Sequence, residues 1–232
     1  MKLKLVKKNE EAKGSVSFFW EPEKPVNFLA GQYYYFTIPR LIYPDPKGTT
    51  RHFTISSSPT EGNLLRLTTK IREESGYKKT LDELPIGAEV EGEGPNGTFI
   101  FDEMVTGPQV FIAGGIGITP FRSMIKYLVD KNLKTPIYLI YSNSKDDFVF
   151  KKELDEMIGA HQSIKIKYLV TEVDGRLDEL KINRFIGDWK LEIGNLTWWL
   201  CGPPPMIDAM EQVLGKLKIT SDKIRSEKFT GY

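Results

Sequence analysis

The hydrophobic period of this chain changes once, and the change dictates two different kinds of layer. From residue 1 to about 103, short β-branched and aromatic runs (Val16–Trp20, Tyr33–Ile38, Phe53–Ile55, Leu64–Thr69 and Ala88–Gly92) alternate with Gly, Pro, Asn and Asp clusters. An alternating N-terminal strand, Met1–Lys8, precedes them. Short strands of this kind bury their apolar residues by curling an antiparallel sheet on itself, which predicts a small barrel. From about residue 108 strands and helices alternate: Val110–Ala113, Phe121–Val129, Ile137–Tyr141, Lys151–Ile158, Ile164–Val170, a helix near 177–186, Thr197–Leu200 and Pro205–Leu217. That rhythm predicts a parallel sheet with helices on its faces. With Thr106-Gly107-Pro108 as the hinge, the expected fold class is α+β with two domains: a six-stranded antiparallel β-barrel over 1–104 and an α/β parallel-sheet domain over 105–232.

The 232 residues carry 32 Lys and Arg against 31 Asp and Glu, a formal net charge of +1. No bulk field draws such a chain to nucleic acid or to an anionic membrane, so any phosphate binding has to be local. No window approaches the roughly 18 apolar residues that span a bilayer, and the N-terminus lacks a signal-peptide core. The single cysteine, Cys201, excludes an internal disulfide and an iron-sulfur cluster held by this chain's thiolates alone. A cytoplasmic protein with no nucleic-acid or membrane partner is the expectation. His52 and His161 are too few and too separated in the chain to suggest a metal site.

Three segments carry chemistry. Val110-Phe111-Ile112-Ala113 reads as a buried strand running into Gly114, Gly115 and Gly117, with Thr119 and Pro120 opening an apolar helix. Glycines let a backbone come close to a pyrophosphate, and proline suits the first turn of a helix, where its missing N–H is not needed. Trp198-Trp199-Leu200, followed by Cys201, Gly202, Pro203, Pro204, Pro205 and Met206, repeats that logic. The last six residues, Glu227-Lys228-Phe229-Thr230-Gly231-Tyr232, place two aromatics where a terminus is ordinarily polar, which predicts a docked segment.

Together with Arg51-His52-Phe53-Thr54, and in this order, these segments resemble the ferredoxin-NADP reductase superfamily over almost the whole chain. The resemblance implies FAD bound by the barrel, NADH or NADPH bound by the α/β domain, and a family motif of arginine, any residue, an aromatic, then Ser or Thr. Carried onto this chain, Arg51 meets the flavin diphosphate, Phe53 offers a ring face to the isoalloxazine in place of the usual tyrosine, and Thr54 hydrogen-bonds near flavin N5. His52, Ile55 and Ser56 on the same run, with Thr69 and Ile71 further on, complete the barrel side. Because strand residues alternate faces, a twist or bulge is needed to aim Arg51, Phe53 and Thr54 at one ligand. Ser75, Gly76, Tyr77, Lys78 and Lys79 resemble the second flavin element, a helix start whose N–H groups meet the diphosphate while Lys78 or Lys79 adds charge. Lys79 stands where the family commonly has Ser or Thr, and Thr80 follows it. Ala30-Gly31-Gln32 reads as structural, and Tyr33, Tyr34 and Tyr35 as core and barrel surface.

In the same family Gly114, Gly115, Gly117, Thr119, Pro120, Gly202, Pro203, Pro204 and Met206 would line the nucleotide. Cys201 would shape the nicotinamide pocket rather than act as a nucleophile. Users of NADPH often carry Ser-Arg after the third strand of this domain; Thr171-Glu172 stands there, and Glu172 would repel a ribose phosphate, which favours NADH unless Lys145 or Arg176 compensates. Tyr232, or failing it Phe229, would stack on the flavin, and Glu227 would either join a proton path or lie solvated. The implied function is a flavoprotein oxidoreductase that moves a hydride from NAD(P)H to bound FAD, with Thr54, Cys201, Glu227 and Tyr232 nearest the chemistry. Electrons would pass on to a separate acceptor: ferredoxin, flavodoxin, another redox subunit or a small molecule. Two alternatives stay open, a flavin reductase using free flavin as substrate and a non-catalytic nucleotide-sensing subunit of a larger complex.

Overall fold

A computed structural model describes residues 1–230. Strands β1 (Lys2–Ala12), β2 (Ser15–Pro22), β3 (Tyr33–Thr37), β4 (Thr50–Thr54), β5 (Leu65–Lys70) and β6 (Glu89–Asn96) form one sheet in the order β4-β3-β6-β1-β2-β5. Every pairing in it is antiparallel. The two ends meet just past β4, where Ile55 bridges Leu67 and the Ser56 N–H donates to the Arg66 carbonyl at 2.7 Å. The sheet thereby closes into the six-stranded barrel expected from the sequence. Alternation does the packing: Leu3, Leu5, Tyr34, Phe36 and Val90 are buried while Lys2, Lys4, Glu89 and Glu91 between them are exposed. Helix α1 (Gly76–Glu83) adds Tyr77 and Leu81 to that core, and the Tyr77 hydroxyl donates to the Phe36 carbonyl at 2.9 Å.

The second sheet is parallel, β7 (Gln109–Gly114), β8 (Ile137–Asn143), β9 (Ile164–Val170), β10 (Thr197–Gly202) and β11 (Ile224–Lys228), in the order β11-β10-β7-β8-β9. All six residues of β7 are buried, as a central parallel strand covered on both faces requires. Helices α3 (Lys151–Ala160), α5 (Glu179–Asp188) and α6 (Pro204–Lys216) and the single turn α4 (Thr171–Asp174) connect the strands. Val110, Ile112, Trp198 and Leu200 share a core with Ile182 and Phe185 of α5 and with Ile207, Met210 and Leu214 of α6. Among the described residues no helix is long and apolar enough to cross a membrane.

By contact the chain divides into two compact units, Met1–Phe101 with Thr119–Asp130, and Asp102–Ile118 with Lys131 onward. Helix α2 (Ile118–Asp130) follows β7 in the chain, yet most of its length belongs to the first unit. Polar anchors hold it there. Buried Arg122 donates to the Ser56 carbonyl at 2.9 Å and pairs with both carboxylate oxygens of Glu61, the Nη2–Oε1 contact being 2.8 Å. The Ser123 hydroxyl donates to the Ser57 carbonyl at 2.7 Å, and Phe121 meets Phe99 edge to face with centroids 5.8 Å apart. Arg122 is buried while Glu61 reaches solvent, so removing the cation strands no buried carboxylate but strips the buried Ser56 carbonyl of a charged donor, a loss of about 1–3 kcal/mol. Arg122→Met should therefore lower the urea-unfolding free energy by roughly that amount; a loss near zero would show that α2 does not depend on this anchor.

Candidate functional site

The first candidate site grows from the β3–β4 connection and the start of α1. Arg51 leaves β4 on the same side as Phe53 and is 3% exposed. A cation so buried needs close partners. Its Nη2 donates to Asp45 Oδ1 at 2.6 Å, and its Nη1 to the carbonyls of Lys47, Gly48 and Thr50 at 2.8, 3.1 and 2.7 Å. The guanidinium lies 5.1 Å from the centre of the Tyr77 ring. Ser75 is the N-cap of α1, accepting from the Lys78 N–H at 3.3 Å and donating to Asp45 Oδ2 at 3.1 Å. The Tyr77 N–H donates to the same oxygen at 2.9 Å. A guanidinium, a hydroxyl and an amide of a helix's first turn thus converge on one carboxylate.

That donor set is the chemistry a phosphate requires, and a carboxylate already satisfies it. Arg51, Ser75, Gly76 and Tyr77 are brought together as the sequence suggested. Tyr77 serves through its N–H, because its ring is committed to the barrel core. Burial alone would raise the Asp45 carboxyl; the Tyr77 and Lys47 amides, the Ser75 hydroxyl and Arg51 outweigh it and hold the group below its ordinary range. Lys78 is pushed down to about 8, first by burial and then by Arg72 and Arg51. Lys79 turns elsewhere, to Glu73 at 3.2 Å and over the Tyr43 ring at 4.5 Å.

The strands fix the positions of the remaining barrel residues. Phe53 is buried among Phe36 and Tyr77, each with ring centroids 6.0 Å away, because alternation on β4 sends 51 and 53 toward the core. His52 faces the other way, beside Tyr33 and Tyr35 at 5.0 and 5.6 Å. Thr54 and Ile55 are buried, and the Ile55 N–H donates to the Gln32 carbonyl at 2.9 Å. Ser56 Oγ donates to the Arg66 carbonyl at 3.0 Å and lies 2.8 Å from the Thr68 hydroxyl. Thr69 is buried on β5 opposite Val16, while Ile71 packs on the barrel core. Thr80 accepts from the Ile42 and Tyr43 N–H groups at 3.1 and 3.2 Å, so it seats the β3–β4 loop.

The second candidate site lies within the parallel sheet. The chain steps from β7 to β8 and β9 on one side, then returns to place β10 on the other side of β7. In open parallel sheets ligands bind beyond the carboxyl ends of strands at such a reversal. Here those ends carry Gly114–Gly117 and Cys201–Gly202, with Ala113 opposite Cys201 in the register. The backbones nearly touch: a Cβ on Gly117 would lie 2.3 Å from the Cys201 carbonyl oxygen, and one on Gly114 would lie 2.4 Å from Met206 Sδ. A short 3-10 turn, Gly115–Gly117, joins β7 to α2, which Thr119 and Pro120 help open. Pro203 is the N-cap of α6 and Pro204 its first residue. Glycine at 114 and 117 is required by this close packing, while a Cβ on Gly115 would meet nothing nearer than Asn143 Oδ1 at 3.8 Å.

Strand β11 pairs with β10 so that Glu227 faces Cys201, and the Phe229 N–H extends the ladder to the Gly202 carbonyl at 2.8 Å. Burial pushes the Glu227 carboxyl up to about 7, and its Oε2 has no hydrogen-bond partner among the described residues. The Cys201 thiol is raised by complete burial and then by Glu227, so it stays protonated and is no nucleophile. Tyr232, the first expected stacking ring, lies outside the described residues.

Comparison with known proteins identifies the class. Residues 2–101 match the oxidoreductase FAD-binding domain and residues 111–212 the oxidoreductase NAD-binding domain. The chain belongs to the ferredoxin-NADP reductase superfamily, with an FAD-binding domain followed by an NAD-binding domain. It is 31% identical over 219 residues to the 2-halobenzoate 1,2-dioxygenase electron transfer component of Burkholderia cepacia, covering 90% of this chain and 61% of that one. It is 26% identical over 230 residues to NADH-cytochrome b5 reductase 1 of Aspergillus oryzae, covering 93% and 78%. The fold superposes on ferredoxin-NADP+ reductase from Plasmodium falciparum with a TM-score of 0.82 at 19% identity, covering 98% and 95%. The chain spans about three fifths of the length of several curated relatives it matches, 58% and 61% in two of them.

The raised Glu227 carboxyl makes stability fall as pH climbs, since between about 4.5 and 7 the unfolded chain has lost a proton that the folded one keeps. Glu227→Gln should flatten that segment of the melting-temperature profile and stabilise the protein at pH 8 by on the order of 2 kcal/mol. Parallel profiles for the two proteins would show that the carboxyl is ordinary.

Proposed function

We propose that this chain is an NAD(P)H-dependent FAD oxidoreductase that hands electrons to a separate acceptor. The observation that carries it is the pairing of a built anion cradle in the barrel unit (Arg51, Ser75 and the Tyr77 N–H) with a glycine-lined switch point in the sheet unit. The first set fits a flavin diphosphate and the second a dinucleotide pyrophosphate. When bound, FAD supplies two-electron acceptance from the nicotinamide and release of electrons onward. The protein's part is to bind and orient. Arg51 and the start of α1 hold the diphosphate; Gly114, Gly115, Gly117 and Gly202 admit the dinucleotide backbone; Cys201 walls the nicotinamide pocket; and Glu227, half-protonated near neutrality, holds an exchangeable proton beside it.

With one cysteine, these 232 residues cannot ligate an iron-sulfur cluster by themselves, so a cluster serving as acceptor would lie outside them. The electron transfer component of a dioxygenase and a cytochrome b5 reductase among the relatives favour a redox protein in that role. NADH is the preferred donor in this reading. Glu172, exposed on α4 after β9, donates its N–H to the Ser144 carbonyl at 3.1 Å, which ties its backbone to the loop after β8, and a carboxylate on that turn would repel a ribose phosphate bound beside it.

Flavin released by denaturation after reconstitution should chromatograph as FAD; recovery of FMN alone would reject the diphosphate assignment. Glu172→Arg should shift the kcat/KM ratio toward NADPH by about tenfold, and a wild-type preference for NADPH would overturn the donor assignment.

A further inference from the structure

The cradle assigned to the flavin diphosphate is occupied by the chain itself. Asp45 takes the Arg51 Nη2 hydrogen bond on one oxygen and those of Ser75 and Tyr77 on the other. Its side chain is 4% exposed. A diphosphate cannot share these donors with it, because two anions within hydrogen-bond reach of the same three groups repel strongly in a site shielded from water. We propose that Asp45 is an internal anion standing in the flavin-diphosphate cradle, so that FAD binds by displacing the Tyr43–Gly48 loop and Asp45 sets the affinity and exchange of the flavin. The proposal rests on the FAD reading above.

The loop is built to seat and to leave as a unit. Seating comes from the Ile42 and Tyr43 N–H groups on Thr80 Oγ1 at 3.1 and 3.2 Å, and from the Tyr43 hydroxyl on Glu83 at 2.6 Å. The backbone also presses on α1, where a Cβ on Gly76 would lie 2.2 Å from the Pro44 carbonyl oxygen. Its tip is a self-contained turn: the Gly48 N–H donates to the Asp45 carbonyl and the Lys47 N–H to Asp45 Oδ1, each at 3.0 Å, with Gly48 at φ +80°. Pro44, Pro46, Lys47 and Gly48 are exposed, so lifting the tip draws no apolar side chain out of the core. Arg51 would give up the Asp45 carboxylate and the Lys47 and Gly48 carbonyls of this loop and take phosphate oxygens in their place.

Apoprotein titrated with FAD and, in parallel, with riboflavin tests this, because riboflavin has no phosphate to compete with Asp45. Asp45→Asn should bind FAD about tenfold more tightly than wild type, release it more slowly, and bind riboflavin unchanged. Thr80→Val, which loosens the loop without touching the carboxylate, should shift FAD affinity in the same direction, and it carries the test if Asp45→Asn does not fold. In wild type, saturating FAD should speed hydrogen exchange at the Ile42 and Tyr43 amides. Equal or weaker FAD binding by the variants, with wild-type binding intact, would overturn the lock and leave the FAD reading standing. Absence of FAD binding to all three proteins would overturn both.

Discussion

A guanidinium buried in the wall of a barrel has to be paired, and the architecture of the first unit follows from how Arg51 meets that demand. Strand alternation drives Arg51 toward the core together with Phe53, where an unpaired cation would cost several kcal/mol. The pairing is found in the chain's own β3–β4 loop, through Asp45 and three carbonyls. Asp45 in turn draws in the Ser75 hydroxyl and the Tyr77 amide, which fixes the first turn of α1 against the loop. The loop backbone then comes so close to α1 that only glycine fits at position 76. One buried charge thereby organises a loop, a helix start and an anion cradle.

The second unit depends on close approach of main chains instead of charge. Neighbouring strand ends β7 and β10 carry glycines where a side chain would strike backbone or Met206. The two strand ends therefore pack main chain against main chain at the reversal of the sheet. The buried thiol of Cys201 and the half-buried carboxyl of Glu227 flank it across the β10–β11 pairing. Both stay neutral more readily than exposed groups would.

Much of this was legible in the residues, and the exceptions have physical causes. The barrel strands and the parallel strands β7 to β10 stand out because a one-sided or fully buried strand writes its period into the sequence. The glycines at 114, 117 and 202 were legible for the same reason that they are required, since no other residue fits so tight an approach. Strand β11 was not, because four of its five residues, Arg225 to Lys228, are polar, as an edge strand paired on one side tolerates. The packing of Phe53 between Phe36 and Tyr77 was not legible, because those rings come from other elements and meet it only when the barrel closes. Asp45 escaped notice because Asp-Pro-Lys-Gly reads as an ordinary turn, and its partners at 51, 75 and 77 come together only when the barrel closes. The anchoring of α2 by Arg122 and Ser123 was hidden likewise, since its acceptors, the Ser56 and Ser57 carbonyls and the Glu61 carboxylate, lie on a loop distant in the chain.

The central claim is that two separately built sites, a flavin cradle and a dinucleotide switch point, serve one electron path. Anaerobic mixing of the FAD-loaded protein with one equivalent of NADH tests it most directly. The account predicts that the flavin absorbance bleaches nearly completely in a rapid phase and returns when an electron acceptor is admitted. Bound FAD that keeps its oxidised spectrum in the presence of both NADH and NADPH would contradict it.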